Sequence, residues 1–186
     1  MIIIGITGTL GAGKGTVVDY LVKEKGFVHF SVRAFIAREL ARRGMPVNRD
    51  TLTALANEMR AKNSPSYIIE ELYKEAAALE KNCIIESIRT PGEIAALRNQ
   101  PGFVLLAVDA DPRVRFNRIR KRNSETDRVN FNTFISNEQR EMHSDDPNKQ
   151  NLSECIRQAD HTILNNGGLD ELHQKTESFL QSIKQK

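Results

Sequence analysis

The chain opens on an uninterrupted apolar run. Ile2-Ile3-Ile4-Gly5-Ile6-Thr7 shows no alternation and is rich in β-branched residues, the pattern of a parallel strand covered on both faces. Four shorter runs repeat the signal: Phe27-Val28-His29-Phe30, Cys83-Ile84-Ile85-Glu86, Phe103 to Val108, and His161 to Leu164. Helical stretches fill the intervals. One runs from about Gly15 to Lys25 and is stopped by Gly26. Ser31 caps another that continues through Arg43 to Gly44, and Asn48 caps a third over Arg49 to Lys62. Ser64-Pro65 opens a long helix to about Lys81, with Pro at a tolerated first-turn position. Further helices are expected over Pro91 to Asn99, from Asp111-Pro112 to Asn123, over Asn132 to Met142, and from the loop Asp145–Asn151 to Ala159. Asn165-Asn166-Gly167-Gly168 turns the chain into a final amphipathic helix. Strands alternating with helices predict a three-layer α/β/α fold around a mostly parallel, five-stranded sheet. The three helices in succession between the second and third strands, within residues 31–81, read as an insert that could cover an acceptor.

Composition narrows the function classes. A length of 186 residues fits one domain, 1–186, and a core that needs no covalent staples. With no Trp and 6% aromatics, a base-stacking surface for single-stranded nucleic acid is not expected. The net charge of +3 is too small to call for a polyanionic partner. Cys83 and Cys155 are far apart and form no CxxC pair, so a reduced compartment and no structural zinc are expected. The histidines His29, His143, His161 and His173 have no metal-ligand spacing. The apolar start is too short for a signal peptide or a membrane span. A cytoplasmic, soluble monomer or homodimer acting on a small molecule is the expectation.

The chemistry sits between the first strand and the first helix. Gly8-Thr9-Leu10-Gly11-Ala12-Gly13-Lys14-Gly15-Thr16 has Gly, four residues, then Gly-Lys. Glycines let the backbone curl so that successive N–H groups point at phosphate oxygens, and the helix that follows adds the positive end of its dipole. Lys14 is the mobile cation for β- and γ-phosphates. Gly8, Gly11, Ala12, Gly13, Lys14, Gly15 and Thr16 are therefore the candidate nucleotide-binding residues, and a P-loop NTPase fold is the expectation. The Ser/Thr that usually follows the lysine is displaced by one position, to Thr16. This Gly-Ala-Gly-Lys-Gly-Thr form resembles adenylate kinase and its nucleoside monophosphate kinase relatives. The resemblance implies an ATP donor, Mg²⁺ held largely through water, and a kinase rather than a switch GTPase.

Glu86-Ser87-Ile88-Arg89 follows the third strand. An acid here can hold Mg²⁺ through water and an arginine can grip an acceptor phosphate. The segment resembles the Asp-Gly-x-Pro-Arg stretch of nucleoside monophosphate kinases, with Glu in place of Asp. Its continuation, Arg89-Thr90-Pro91-Gly92-Glu93 and Leu97-Arg98, resembles bacteriophage-type deoxynucleoside monophosphate kinases and the P-loop domain fused to some deoxycytidylate deaminases. His29 to Phe35 is similar to the segment that opens the monophosphate-binding helix of adenylate kinases. There the family's Thr-Gly-Asp is Val32-Arg33-Ala34. Ser31, Arg33, Arg38 and Arg89 are the acceptor-side candidates, although an arginine on an amphipathic helix can simply be solvated.

Arg113, Arg115, Arg118, Arg120, Lys121 and Arg122 crowd one predicted helix, with Phe116 and Ile119 as its buried stripe. Arg115, Arg118 and Arg122 share a face by spacing. Asp109 to Arg122 resembles the strand and helix before the lid of adenylate kinases, whose lid arginines match Arg118 and Arg122. This gives a lid region over 118–145 with the polar stretch Ser124 to Asn130 as the lid itself, and adds Arg118 and Arg122 to Lys14 and Arg89 as catalytic candidates. Ala159 to Gly167 looks like the last strand of dephospho-coenzyme A kinases, which implies Asn165 and Gly167 beside the nucleotide base. The resemblances together imply an ATP- and Mg²⁺-dependent transfer of the γ-phosphoryl group to a nucleoside or deoxynucleoside monophosphate, with Thr16 and Glu86 on the metal side. A dephospho-coenzyme A kinase and a nucleotide-sensing module with little turnover are the alternatives. The first needs a base, commonly an Asp near the end of the second strand, and His29 to Ala34 contains none.

Overall fold

A computed structural model of the chain describes residues 1–122 and 129–184. Five strands form one parallel sheet. They are β1 (Ile3–Gly8), β2 (Val28–Ser31), β3 (Cys83–Glu86), β4 (Phe103–Asp109) and β5 (His161–Leu164), in the spatial order β2-β3-β1-β4-β5. Every residue of β1 is buried, as its unalternating sequence requires. Gly5 is small because a Cβ there would lie 2.6 Å from Cδ1 of Ile88 and 2.7 Å from the Phe103 ring.

Successive side chains of each strand feed two separate cores. Ile4, Ile6, Ile84, Leu106 and Val108 point to one face, where α1 (Lys14–Lys25) and α9 (Leu169–Lys184) bring Val17, Val18, Leu21, Leu172, Phe179 and Leu180. Ile3, Ile85 and Leu105 point to the other. They meet residues from α2 (Val32–Arg42), α3 (Arg49–Lys62), α4 (Tyr67–Ala77), α5 (Pro91–Arg98) and α8 (Leu152–Arg157). The result is the three-layer α/β/α arrangement read from the alternation of elements, and the sheet is wholly parallel. Cys83 and Cys155 are free, buried thiols, both in the second core. Burial pushes Cys83 up to about 11 and Cys155 higher still.

Helix starts follow the capping residues. The Ser31 side chain accepts from the Ala34 N–H, and Asn48 and Thr51 form a reciprocal capping box, as do Thr90 and Glu93. Gly26, at φ 70°, closes α1. The helix expected from Ser64-Pro65 to Lys81 is shorter, Tyr67–Ala77, because Tyr67 N–H bonds to Ser64 O in a turn and Glu80 takes a positive φ of 52°. Helices α2, α3 and α4 follow one another between β2 and β3 and pack together. Beyond β4 come α6 (Pro112–Arg122) and α7 (Phe131–Met142), pinned together by Phe116, Phe131 and Phe134, whose ring centroids lie 5.2–6.2 Å apart. Most of the polar stretch read as the lid itself, Ser124 to Asn130, lies outside the described residues.

Candidate active site

The end of β1 turns into a loop whose carbonyls are engaged from within and behind. Leu10 O accepts from Arg115 Nη1 at 3.2 Å, and Ala12 O accepts from Asn165 Nδ2 at 2.8 Å. Gly8 O and Thr9 O accept from Lys14 Nζ at 2.9 and 2.8 Å. The Thr9 hydroxyl donates to Asp109 at the end of β4. With these carbonyls engaged, the loop's N–H groups, apart from that of Ala12, which donates to Thr9 O at 3.4 Å, are the groups left for an anion. The first N–H groups of α1 have no intrahelical partner, as at any helix start. Gly11 and Gly13 carry positive φ of 79° and 107°. A Cβ on Gly13 would stand 2.4 Å from Asn165 Nδ2, and one on Gly11 would stand 2.7 Å from Arg115 O. Glycine at these positions lets the loop lie directly on β5's exit and on α6.

Arg115 is the brace of this arrangement. It is 2% exposed, donates from Nε to Ala110 O at 2.7 Å, and pairs with Glu138 of α7 through both terminal nitrogens. Sequence spacing grouped Arg115 with Arg118 and Arg122. The three diverge because Arg115 turns inward under the loop. Arg118 donates to Asn165 O at 2.8 Å and to Gly167 O at 3.0 Å, so it meets the two residues expected beside the base.

In front of the loop lies a cavity of about 810 Å³. Gly11, Gly13, Lys14, Gly15 and Thr16 line one end, with Arg118 and Arg122 of α6. Arg33, Glu86 and Arg89, expected on the acceptor and metal side, line the same space. Ser31 is engaged as the α2 cap instead. Arg38 lies elsewhere, beside Glu75 at 3.5 Å and over the Phe35 ring, on the outer side of α2. An arginine on a helix surface goes to whichever carboxylate and ring are nearest, and here both face outward.

The charges in the cavity act on one another. Burial and the nearby Arg89 guanidinium pull the Lys14 ammonium down to about 8, against the smaller opposing pull of Glu86 and Glu141. Burial alone would raise the Glu86 carboxyl. His29, 3.6 Å away, together with Lys14 outweighs it and holds Glu86 below its ordinary value. Glu86 is therefore an ionised carboxylate near the loop lysine. The residue after it, Ser87, lines the cavity with φ 75°, a region non-glycine residues seldom occupy. It stands where the kinase segment resembled above has Gly.

Several lining residues carry no sequence signal. Arg49 and Arg60 read as ordinary members of an amphipathic helix, and Glu141 and Gln150 as the end of a helix and part of a loop. In the structure Arg49 and Arg89 share the carboxylate of Glu141, and Arg89 also donates to Gln150 at 2.8 Å. Arg60 is 2% exposed and paired with the fully buried Glu93. The spacing of Arg49, Leu52, Thr53, Ala56 and Arg60 puts them on one face of α3, and that face lines the cavity.

A family model described as an AAA domain matches residues 4–144, from the first strand to just beyond α7. The chain belongs to this AAA domain family. It is similar over nearly its whole length to proteins called UPF0200. One from Methanococcus vannielii is 27% identical, covering 98% of this chain and 97% of that one, and one from Pyrococcus horikoshii is 27% identical, covering 97% of each. Among solved structures, TT1252 from Thermus thermophilus overlays with a TM-score of 0.65 at 21% identity, covering 97% of both chains. A shikimate kinase from Bacteroides thetaiotaomicron overlays at 0.60 with 14% identity, covering 97% of this chain and 98% of that one. A gluconokinase from Sinorhizobium meliloti overlays at 0.59 with 12% identity, covering 98% and 93%. At these identities the overlays establish a P-loop kinase-like fold for this AAA domain chain. Among its described residues no helix is long and apolar enough to cross a membrane.

Proposed function

We propose that the protein is a kinase that moves the γ-phosphoryl group of ATP to a nucleoside or deoxynucleoside monophosphate. The observation that carries this reading is the shared cavity. The phosphate loop stands at one end, and Arg33, Arg49 and Arg89 stand on the insert side. A phosphate acceptor arrives already anionic and needs guanidinium groups, whereas a hydroxyl acceptor needs a base. At the exit of β2, where dephospho-coenzyme A kinases commonly place that base, stand Val32 and Arg33.

In this reading the loop amides and Lys14 hold the donor's β- and γ-phosphates, and Lys14 leaves the Gly8 and Thr9 carbonyls to do so. Arg118 fixes the Asn165–Gly167 turn against the donor's base. An acceptor phosphate oxygen, held by Arg89, forms a bond to the γ-phosphorus. The bond from that phosphorus to the β–γ bridging oxygen breaks, and ADP departs with the electron pair. Arg122, on the cavity wall, offers positive charge to the transferring oxygens. The protein's contribution is positioning and charge.

Mg²⁺ suits the donors present. Thr16 and Glu86 supply hard oxygens on the cavity wall, and no group of three or more His, Cys, Asp or Glu able to hold a metal ion occurs among the described residues. This is the pattern of an ion carried mainly by nucleotide and water. When bound, the ion would neutralise charge on the β- and γ-phosphates.

The test is ADP release from ATP and Mg²⁺ with a panel of nucleoside and deoxynucleoside monophosphates and with dephospho-coenzyme A. Acceptor-dependent release with at least one monophosphate is expected. Release with dephospho-coenzyme A alone, or nucleotide binding with no acceptor-dependent release from the panel, would overturn the reading in favour of those two alternatives.

A further inference from the structure

The arginines of the acceptor side are not waiting empty. Glu141, from α7, reaches across to α3 and to the β3–α5 turn. One oxygen accepts from Nε and Nη2 of Arg49, and the other accepts from Nη1 of Arg89 at 2.9 Å. A single carboxylate thus bridges two guanidinium groups, as one phosphate group can. The three side chains are half-buried in the cavity wall. Two positive charges face one negative charge there, so the cluster keeps a net positive charge that a dianion would cancel and a monocarboxylate does not.

A second observation marks the same wall as built for a ligand. Arg60, three turns along α3 from Arg49, is buried, yet among the described residues its Nη1 has no hydrogen-bond partner. Glu93 cannot supply one. Its Oε1 already accepts from Nε and Nη2 of Arg60, and its Oε2 accepts from the backbone N–H groups of Arg89 and Thr90. A guanidinium nitrogen only donates. Arg60 lines the cavity, so a ligand that brings an acceptor oxygen or ring nitrogen can meet this donor once the side chain turns toward it.

We infer that Glu141 occupies the acceptor's phosphate site in the empty protein, and that a dianionic phosphate group displaces it from Arg49 and Arg89. Resting on the kinase reading for the acceptor's identity, this assigns the phosphate end of that molecule to Arg49 and Arg89. Its other end lies along Leu52, Ala56, Val32 and Ile36 toward Arg60. Release of Glu141 also frees the end of α7, the helix whose Glu138 holds Arg115 beneath the phosphate loop. The apparent affinity of the site is lowered by its internal competitor, as in any equilibrium where the competent state is only a fraction of the whole.

The experiment is calorimetric titration of inorganic phosphate into the full chain, with the loop already saturated by a non-hydrolysable ATP analogue and Mg²⁺. Glu141→Gln keeps the shape and removes the competing charge, and should tighten phosphate binding by about tenfold or more. Arg49→Ala should weaken it by about tenfold and should erase the gain when combined with Glu141→Gln. Acetate at matched ionic strength should bind at least tenfold more weakly than phosphate in each protein. Unchanged or weaker phosphate binding in Glu141→Gln would mean that Glu141 merely orders the arginines. A gain that survives Arg49→Ala would reduce it to a diffuse field, and either result overturns the inference. Equal binding of acetate overturns the dianion assignment. If Glu141→Gln does not fold, Arg49→Ala alone decides, since unchanged phosphate affinity there refutes the site. These readouts are independent of turnover. Tightened binding without ADP release keeps the site and fails the kinase reading, while ADP release with unaltered binding does the reverse.

Discussion

Lys14 gives a prediction that can be followed with protons. In the empty loop its ammonium is held by the Gly8 and Thr9 carbonyls, and burial with the nearby Arg89 lowers it from 10.5 to about 8. A bound triphosphate surrounds the same nitrogen with negative charge and returns it to the ordinary lysine range or above. The sign follows. Below pH 7 the lysine is charged in both states, and binding moves no proton there. At pH 8 the empty protein has lost about half a proton and at pH 9 about nine-tenths, all of which binding restores. Nucleotide affinity should therefore fall about tenfold, or about 1.4 kcal/mol, per pH unit between pH 8.5 and 10. The donor's phosphates are ionised throughout this window, so they contribute little to the exchange. Calorimetric titration of a non-hydrolysable ATP analogue and Mg²⁺ in buffers of different ionisation enthalpy reads the proton count directly. Uptake near 0.5 at pH 8, rising towards 1 at pH 9, is expected in the wild type. Lys14→Ala should show none and should lose about 10²-fold or more in turnover while remaining folded. Binding enthalpy that is independent of buffer at pH 9 in the wild type would refute the desolvated lysine and the loop geometry behind it.

Three further outcomes are expected. Arg115→Met should lower stability by about 3–5 kcal/mol, read by urea unfolding, because it strands Glu138 and leaves Leu10 O and Ala110 O without their donor. Ser87→Gly should leave stability unchanged or raise it by about 1 kcal/mol, since φ 75° costs glycine nothing; marked destabilisation would point to an essential side-chain contact. Arg118→Ala should raise the KM for ATP more than it lowers kcat, because its bonds go to the Asn165–Gly167 turn, whereas Arg122→Ala should lower kcat and kcat/KM together by about 10²-fold. Equal kinetic effects at both positions would argue for a diffuse basic helix.

The fold was legible wherever local chemistry decides it. β1 and its loop follow from β-branched residues ending in spaced glycines, and Asn48 and Ser31 mark helix starts to the residue. The candidate site was legible only along its backbone-built half. Spacing could place Arg115, Arg118 and Arg122 on one helix, but it could not show that Arg115 turns under the loop while Arg118 meets the Asn165 turn. Arg38 was misleading for the same reason, since its partners Glu75 and Phe35 are chosen by tertiary packing. Arg49 and Glu141 are brought together from α3 and α7, 92 residues apart in sequence, by the insert's docking, with Arg60 on the same cavity wall. Only Glu93 left a trace, as the third residue of a capping box whose carboxylate has a second task.

The two thiols divide the molecule in a way that an experimenter can use. Cys83 and Cys155 are the only cysteines in the chain, and both lie in the core beneath the insert, while the core under α1 and α9 has none. Neither is accessible in the native state, and burial disfavours the reactive thiolate of both. An alkylating reagent can therefore modify the chain only when that one layer opens. Modification rates would time the loosening of the acceptor side and stay silent to fraying of the nucleotide-side helices. A ligand that closes the insert should slow both thiols together, and the modification rate read by mass, divided by that of the unfolded chain, gives the opening free energy of that layer without any engineered probe.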